Sequence, residues 1–139
     1  MNPIEILKFM GEQGARYKPS QLGLILSYLD AMIQDKRIII IYEENQPYAF
    51  MAFSICNDMV QYLKKDLWAY LPHDPHGRTI YIEKLVSKSW NRELRLKFEE
   101  EILKLYPQLE KGIWHRYAKW GDRQTYTVRR NKECMKSRS

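Results

Sequence analysis

The chain has 139 residues, 45% of them hydrophobic and 29% charged, with a formal net charge of +6. This is the make-up of one ordinary globular domain, and it excludes a collagen, a long coiled coil, extended disorder and a disulfide-stapled miniprotein. No apolar run approaches the ~20 residues of a membrane span, and the acidic start MNPIEILKFMGEQ has no signal-peptide apolar core, so a cytoplasmic location is expected.

Pro3 to Gln13 reads as a short helix. Ile4, Leu7 and Met10 recur at helical spacing, Asn2 is placed to cap it and Pro3 fits the first helical position. Gly11 and Gly14 end it. Ser20 is the expected N-cap of a second helix running to about Asp35, with Leu22, Ile25, Leu29 and Met32 or Ile33 as its apolar stripe. RIIIIYEENQPYAFMAF then predicts an antiparallel hairpin. Ile38 to Ile41 form a strand buried on both faces, Glu43 to Gln46 form a slightly long loop, and Pro47 opens the return strand to about Ile55.

Met59, Tyr62 or Leu63, Leu67 and Tyr70 predict a helix over 57–71, followed by a loop, LPHDPHGR. TIYIEKLVS (79–87) is a strand, with Ile80, Ile82, Lys84 and Val86 on one side and Tyr81, Glu83 and Leu85 on the other. A helix from about Asn91 to Tyr106 buries Leu94, Phe98, Ile102 and Leu105, and Pro107 stops it. GIWHRYAKW, a turn at Gly121–Asp122 and QTYTVRR make a second hairpin. The order implies an α+β domain over residues 1–130, a five-stranded, mostly antiparallel sheet with helices packed on its faces. The 79–87 and 112–120 strands, joined by a helical crossover, are expected to be parallel.

Charge is uneven. Residues 129–139 carry Arg129, Arg130, Lys132, Lys136 and Arg138 against Glu133, leaving the body nearly neutral. Residues 131–139 read as a basic, disordered tail able to touch phosphate, membrane surface or an acidic partner. Cys56 reads as a small buried hydrophobe and Cys134 as an exposed thiol, with no disulfide framework. His73, Asp74 and His76 share one loop, but no further Cys or His cluster completes a metal site, and no metal is expected.

Three stretches resemble the GNAT acyltransferase superfamily, and more narrowly its toxin-activating lysine acyltransferases and small phage-encoded members. They are RIIIIYEENQPYAFMAFSI, GRTIYIEKLVS and FEEEILKLYPQLEKGIWHRY, together about residues 37–120. The resemblance implies a GNAT-like fold and transfer of an acyl group from a thioester donor to an amine. The donor is acyl-CoA or an acyl carrier protein, a co-substrate and not a permanently bound cofactor. It places Glu83 on the central strand as general base or as the group orienting the amine, a role that needs a carboxylate whose pKa lies near working pH. It places the donor's pyrophosphate at the 87–92 turn, where Ser87, Lys88, Ser89 and Arg92 flank a helix start, and Tyr81 or Trp90 along the cleft. The chain departs from the family in three ways. It lacks the Q/R-x-x-G-x-G/A loop, residues 1–36 hold no histidine, and no helix is expected between the last two strands.

Two further features stand apart. His115 lies mid-strand and is either a satisfied structural histidine or, if the cleft reaches it, a second acid/base group. Trp114, Arg116, Trp120, Arg129 and Arg130 interleave aromatic and basic side chains on the last hairpin. Such a surface serves as core and wet edge, or binds a host protein or, less readily, nucleic acid. Enzymatic transfer, with a protein acceptor among its targets, therefore stands beside an inactive GNAT-like binding protein.

Overall fold

The computed structural model describes residues 2–14, 17–57, 72–117 and 123–129, the segments 113–117 and 123–129 by their backbone alone. Residues 58–71 of the helix expected over 57–71, the turn at 121–122, and Trp120, Arg130 and the 131–139 tail lie outside the described residues.

Helix α1 (Pro3–Glu12) is capped by Asn2, whose Oδ1 accepts from the Glu5 amide at 2.9 Å, with Pro3 at the first position. It buries Ile6, Phe9 and Met10, while Ile4 is exposed, so the buried stripe lies one step round from the expected one. Pro19 draws Pro19–Gln21 into a tight 3₁₀ turn, and α2 (Leu22–Gln34) starts only beyond it. Ser20 therefore lies inside that turn and does not cap α2. Helix α2 buries Ile25, Tyr28, Leu29 and Met32, leaving Leu22 exposed.

Strands β1 (Ile38–Glu43), β2 (Gln46–Cys56), β3 (Thr79–Ser87), β4 (Lys111–Tyr117) and β5 (Arg123–Arg129) lie side by side in chain order. Only β3 and β4 are parallel, joined by α3 (Arg92–Leu105). The fold is α+β with a mixed sheet and helices on both faces. The β1–β2 loop is shorter than expected: Glu44 and Asn45, both at positive φ, make a two-residue hairpin turn. Helices α1 and α2 cover one face over Phe50 and Ala52, with Ile38, Ile40 and Val86 beside them. On the other face, α3 packs Leu94, Phe98 and Ile102 on Ile39, Ile41, Met51, Phe53, Ile55, Ile80 and Ile82. Leu105, expected inside, is exposed, and Leu109 is buried in that core instead.

Strand β3 is irregular at one point. Ala52 pairs with Lys84 and Phe53 with Ile82, so Glu83 has no opposite residue, and the strand carries a bulge there. The extra residue shifts the alternation by one. Leu85 joins Ile80 and Ile82 on the α3 face, and Val86 faces α1 and α2. The unbroken alternation expected from the sequence, which put Leu85 with Glu83, fails for this reason.

Candidate functional site

The bulge coincides with a fork in the sheet. Among the described residues, β3–β4 pairing runs from Thr79↔Lys111 to Ile82↔Trp114 and stops, although β3 continues to Ser87 and β4 to Tyr117. Glu83 and His115 are the first residues past the last pair, one on each arm. Beyond them the facing edges of two parallel strands lack each other as hydrogen-bond partners, at their carboxyl ends, where open α/β sheets take ligands.

Glu83 turns toward α2. Its side chain is 4% exposed. The Tyr28 hydroxyl on α2 donates to Oε1 at 3.0 Å, and the Arg37 guanidinium donates to Oε2 at 3.0 Å. Arg37, at the junction of α2 and β1, is fully buried. Its Nε donates to the Phe53 carbonyl at 2.9 Å, and its guanidinium also meets Asp35 at 3.4 Å. The Ser54 hydroxyl on β2 lies beside the Glu83 carboxylate as well, without a partner at hydrogen-bond geometry. A buried charge requires such company, because desolvation costs several kcal/mol per ion.

Burial pushes the Glu83 carboxyl above its ordinary range. The Arg37 charge and the hydrogen bonds to it pull the other way without overcoming burial. The result suits a general base better than an exposed glutamate would. The Tyr28 hydroxyl is driven far above the ordinary tyrosine range, by burial first and the Glu83 charge second, so it remains a donor at every working pH.

The 87–92 turn is built from β2 and α3. Ser87 pairs with Ala49, the Lys88 amide donates to the Tyr48 carbonyl at 2.9 Å, and the Ser89 hydroxyl is hydrogen-bonded to the Tyr48 hydroxyl. Asn91 caps α3, accepting from the Leu94 amide at 2.8 Å. Lys88 and Arg92 are exposed at this helix start, and Trp90 stacks on Phe98 at 6.4 Å. The two cations remain accessible to an anion, whereas Ser89 is engaged by Tyr48. Tyr81 is buried, so of the two aromatics expected along the cleft only Trp90 is exposed.

His73, Asp74 and His76 diverge. His73 Nδ1 accepts the Ile55 amide at 3.0 Å, while Asp74 closes a turn, accepting from the His76 amide and from Asn57. This loop caps the part of β2 that β1 does not reach. Burial, and then the Arg37 charge, lower the His73 pKa. Among the described residues no cluster of His, Cys, Asp or Glu is arranged to hold a metal. No helix among them is long and apolar enough to cross a membrane.

The structure thus brings together Glu83 and, by backbone position, His115. The 87–92 turn stands at the end of the same strand. Trp114, Arg116 and Arg129 are placed by register only, on the β4–β5 hairpin, where Trp114 pairs with Tyr126 and Arg129 with Lys111. Tyr28, Arg37 and Ser54 were not singled out by sequence reasoning. The available signals were Tyr28 at i+3 from Ile25, inside the apolar stripe, and a cation set directly against four isoleucines.

No family model matches the chain, and no curated protein matches it. Among solved structures, a predicted acetyltransferase with acetyl-CoA from Clostridium acetobutylicum aligns with 85% of this chain and 73% of its own. The identity is 15% and the TM-score 0.46. None of these findings points to the toxin-activating or phage-encoded branch.

Proposed function

We propose that this protein transfers an acyl group from a thioester donor to an amine, with the donor lying in the fork between β3 and β4. One observation carries the reading: β3 and β4 part at Ile82 and Trp114, with a buried carboxylate at the first unpaired position. The unpaired edge of an extended strand binds an extended chain that carries amides, as an added strand would. The pantetheine arm of coenzyme A is such a chain. Lys88, Arg92 and the start of α3 would meet its phosphates at the open end. The amine attacks the thioester carbonyl, the C–N bond forms and the C–S bond breaks. Glu83 takes the proton from the nitrogen, and the thiolate leaves to be protonated in turn.

The test is thermal unfolding with coenzyme A, acetyl-CoA and a long-chain acyl-CoA. A donor at a hundredfold its dissociation constant adds about 2.7 kcal/mol of stability, roughly 10 °C in midpoint for a domain of this size. Glu83→Gln is expected to keep that shift and lose turnover. No shift with any donor, including an acyl carrier protein, would overturn the reading.

A second reading, binding of a protein or nucleic acid through the β4–β5 hairpin, is favoured by one observation: β5 is one of the two outer strands of the sheet. Phosphate-mediated binding would weaken steeply with salt. A salt-sensitive nucleic-acid affinity, lost when residues 131–139 are removed, would support it over transfer.

A further inference from the structure

We infer that Tyr28 is a positioning residue for Glu83: its hydroxyl, reaching from α2, holds one carboxylate oxygen at the fork while Arg37 holds the other. The inference rests on the acyl-transfer reading for its purpose, but its geometry stands independently. Oε1 receives the Tyr28 hydroxyl and Oε2 the Arg37 guanidinium, both at 3.0 Å. Arg37 is itself pinned by the carbonyl of Phe53, the β2 residue that flanks the bulge. Two donors from two different elements fix a carboxylate in one orientation, and donation to its oxygens favours the charged form.

Among the described residues, Asp35 faces Arg37 from the end of α2, Ser54 approaches from β2, Tyr81 lies on β3 near Tyr28, and His73 and Tyr106 feel the Arg37 charge. Of the two side chains that donate to the carboxylate, only Tyr28 can be changed by removal of a single oxygen and no charge. It donates at all working pH values, so its effect on Glu83 does not switch off within the range of an assay.

The test is a carbon-13 NMR titration of the Glu83 carboxyl in glutamate-labelled protein, its resonance assigned by its loss in Glu83→Gln. Tyr28→Phe is expected to raise the Glu83 midpoint by about one pH unit, the worth of a hydrogen bond to a charged acceptor. Phe50→Leu, a packing change on the same face without a polar atom, is expected to leave it in place. If Tyr28→Phe does not fold, a fluorinated tyrosine at position 28, a stronger donor of the same shape, is expected to lower the midpoint. In turnover, Tyr28→Phe is expected to displace the acid limb of kcat/KM upward by the same amount, with the donor's KM unchanged.

An unmoved Glu83 midpoint in Tyr28→Phe or with the fluorinated residue overturns the inference, as does an equal movement in Phe50→Leu. Because the titration needs no substrate, a moved midpoint in a protein that binds no donor refutes acyl transfer and leaves the positioning contact standing.

Discussion

Replacing Arg37 by methionine tests the buried network most directly. Arg37 is 0% exposed at its side chain and Glu83 4%, so solvent screening takes little from their interaction. Beside the pair with the partly exposed Asp35, which is worth little, the substitution brings two main losses. The Phe53 carbonyl loses a donor, worth about 1 kcal/mol. The Glu83 carboxylate is left buried without its cation, a change that costs about 3–5 kcal/mol where it has been measured. Protonation sets a ceiling on the second loss. Bringing a carboxyl of ordinary pKa 4.5 to its neutral form at about pH 7 costs about 3.5 kcal/mol, at about 1.4 kcal/mol per unit. The expected total is therefore at most about 4.5 kcal/mol, since methionine fills much of the vacated aliphatic volume.

Urea unfolding of Arg37→Met and of Arg37→Met with Glu83→Gln measures both parts. The double variant is expected to regain about 2 kcal/mol, because a neutral amide still accepts from Tyr28. The gap between the two variants carries a sign. With Arg37 gone, the Glu83 pKa in the folded state stands further above its unfolded value. Its contribution is then fully present below the unfolded value and is lost as pH rises through the folded one. The single variant must gain on the double as pH falls from about 7 toward 5, by up to about 1.4 kcal/mol per unit. A loss under about 1 kcal/mol, or a gap that ignores pH, would refute the claim that this pair is buried and coupled.

Three other changes are informative. At Gly77 an added Cβ would lie 2.4 Å from the Cys56 carbonyl oxygen, and Gly77→Ala is expected to lower the urea midpoint by the equivalent of about 1–3 kcal/mol. His73 accepts a backbone amide at Nδ1, and its pKa is lowered in the fold, so its stabilising contribution is present above the unfolded value of 6.5 and lost as pH falls below it. His73→Gln is expected to flatten the decline in stability between about pH 7 and 5, and an unchanged slope would refute acceptance of the Ile55 amide by a neutral His73. Deleting Lys84 removes the bulge while leaving Ile82, Leu85 and Val86 on their present faces. The variant is expected to fold, as judged by its circular dichroism, and to lose stabilisation by coenzyme A; retained stabilisation would separate the bulge from donor binding.

Much of the fold was legible because its causes are local. Asn91 caps α3 within three residues, four consecutive isoleucines need two apolar faces, and the spacing of Leu94, Phe98 and Ile102 defines a helix face without outside help. The bulge was hidden for a physical reason. Leu85 and Val86 are both apolar, so either alternation past Glu83 buries a hydrophobic residue on each face, and the pattern does not choose the register. The network was hidden by distance. Arg37 meets Glu83 across 46 positions and Tyr28 meets it across 55, so nothing near any of the three marks the other two. Glu83 itself was legible only as an acid on a central strand. Its burial against a cation depends on the packing of α2, which no short window contains.

Phe53 links the carboxylate to the fork. Its amide donates to the Arg37 carbonyl and its own carbonyl accepts from Arg37 Nε, so both of its backbone groups are bound to one residue. Phe53 also flanks the bulge, since its partner on β3 is Ile82, the last residue paired to β4. A bulge adds right-handed twist to its strand. Pairing with β2 resumes at Lys84, whereas pairing with β4 does not, so the strand's departure is one-sided and opens toward β4. The position of Glu83 is accordingly set by strand backbone and a buried guanidinium, the kind of support that holds a reacting group to within a fraction of an ångström. Stability alone gives no account of a charge here, because a buried ion pair adds little or nothing over two well-packed apolar side chains. The acyl transfer proposed above does give one, because that reaction needs a proton acceptor at the apex of a fork that exposes strand edges.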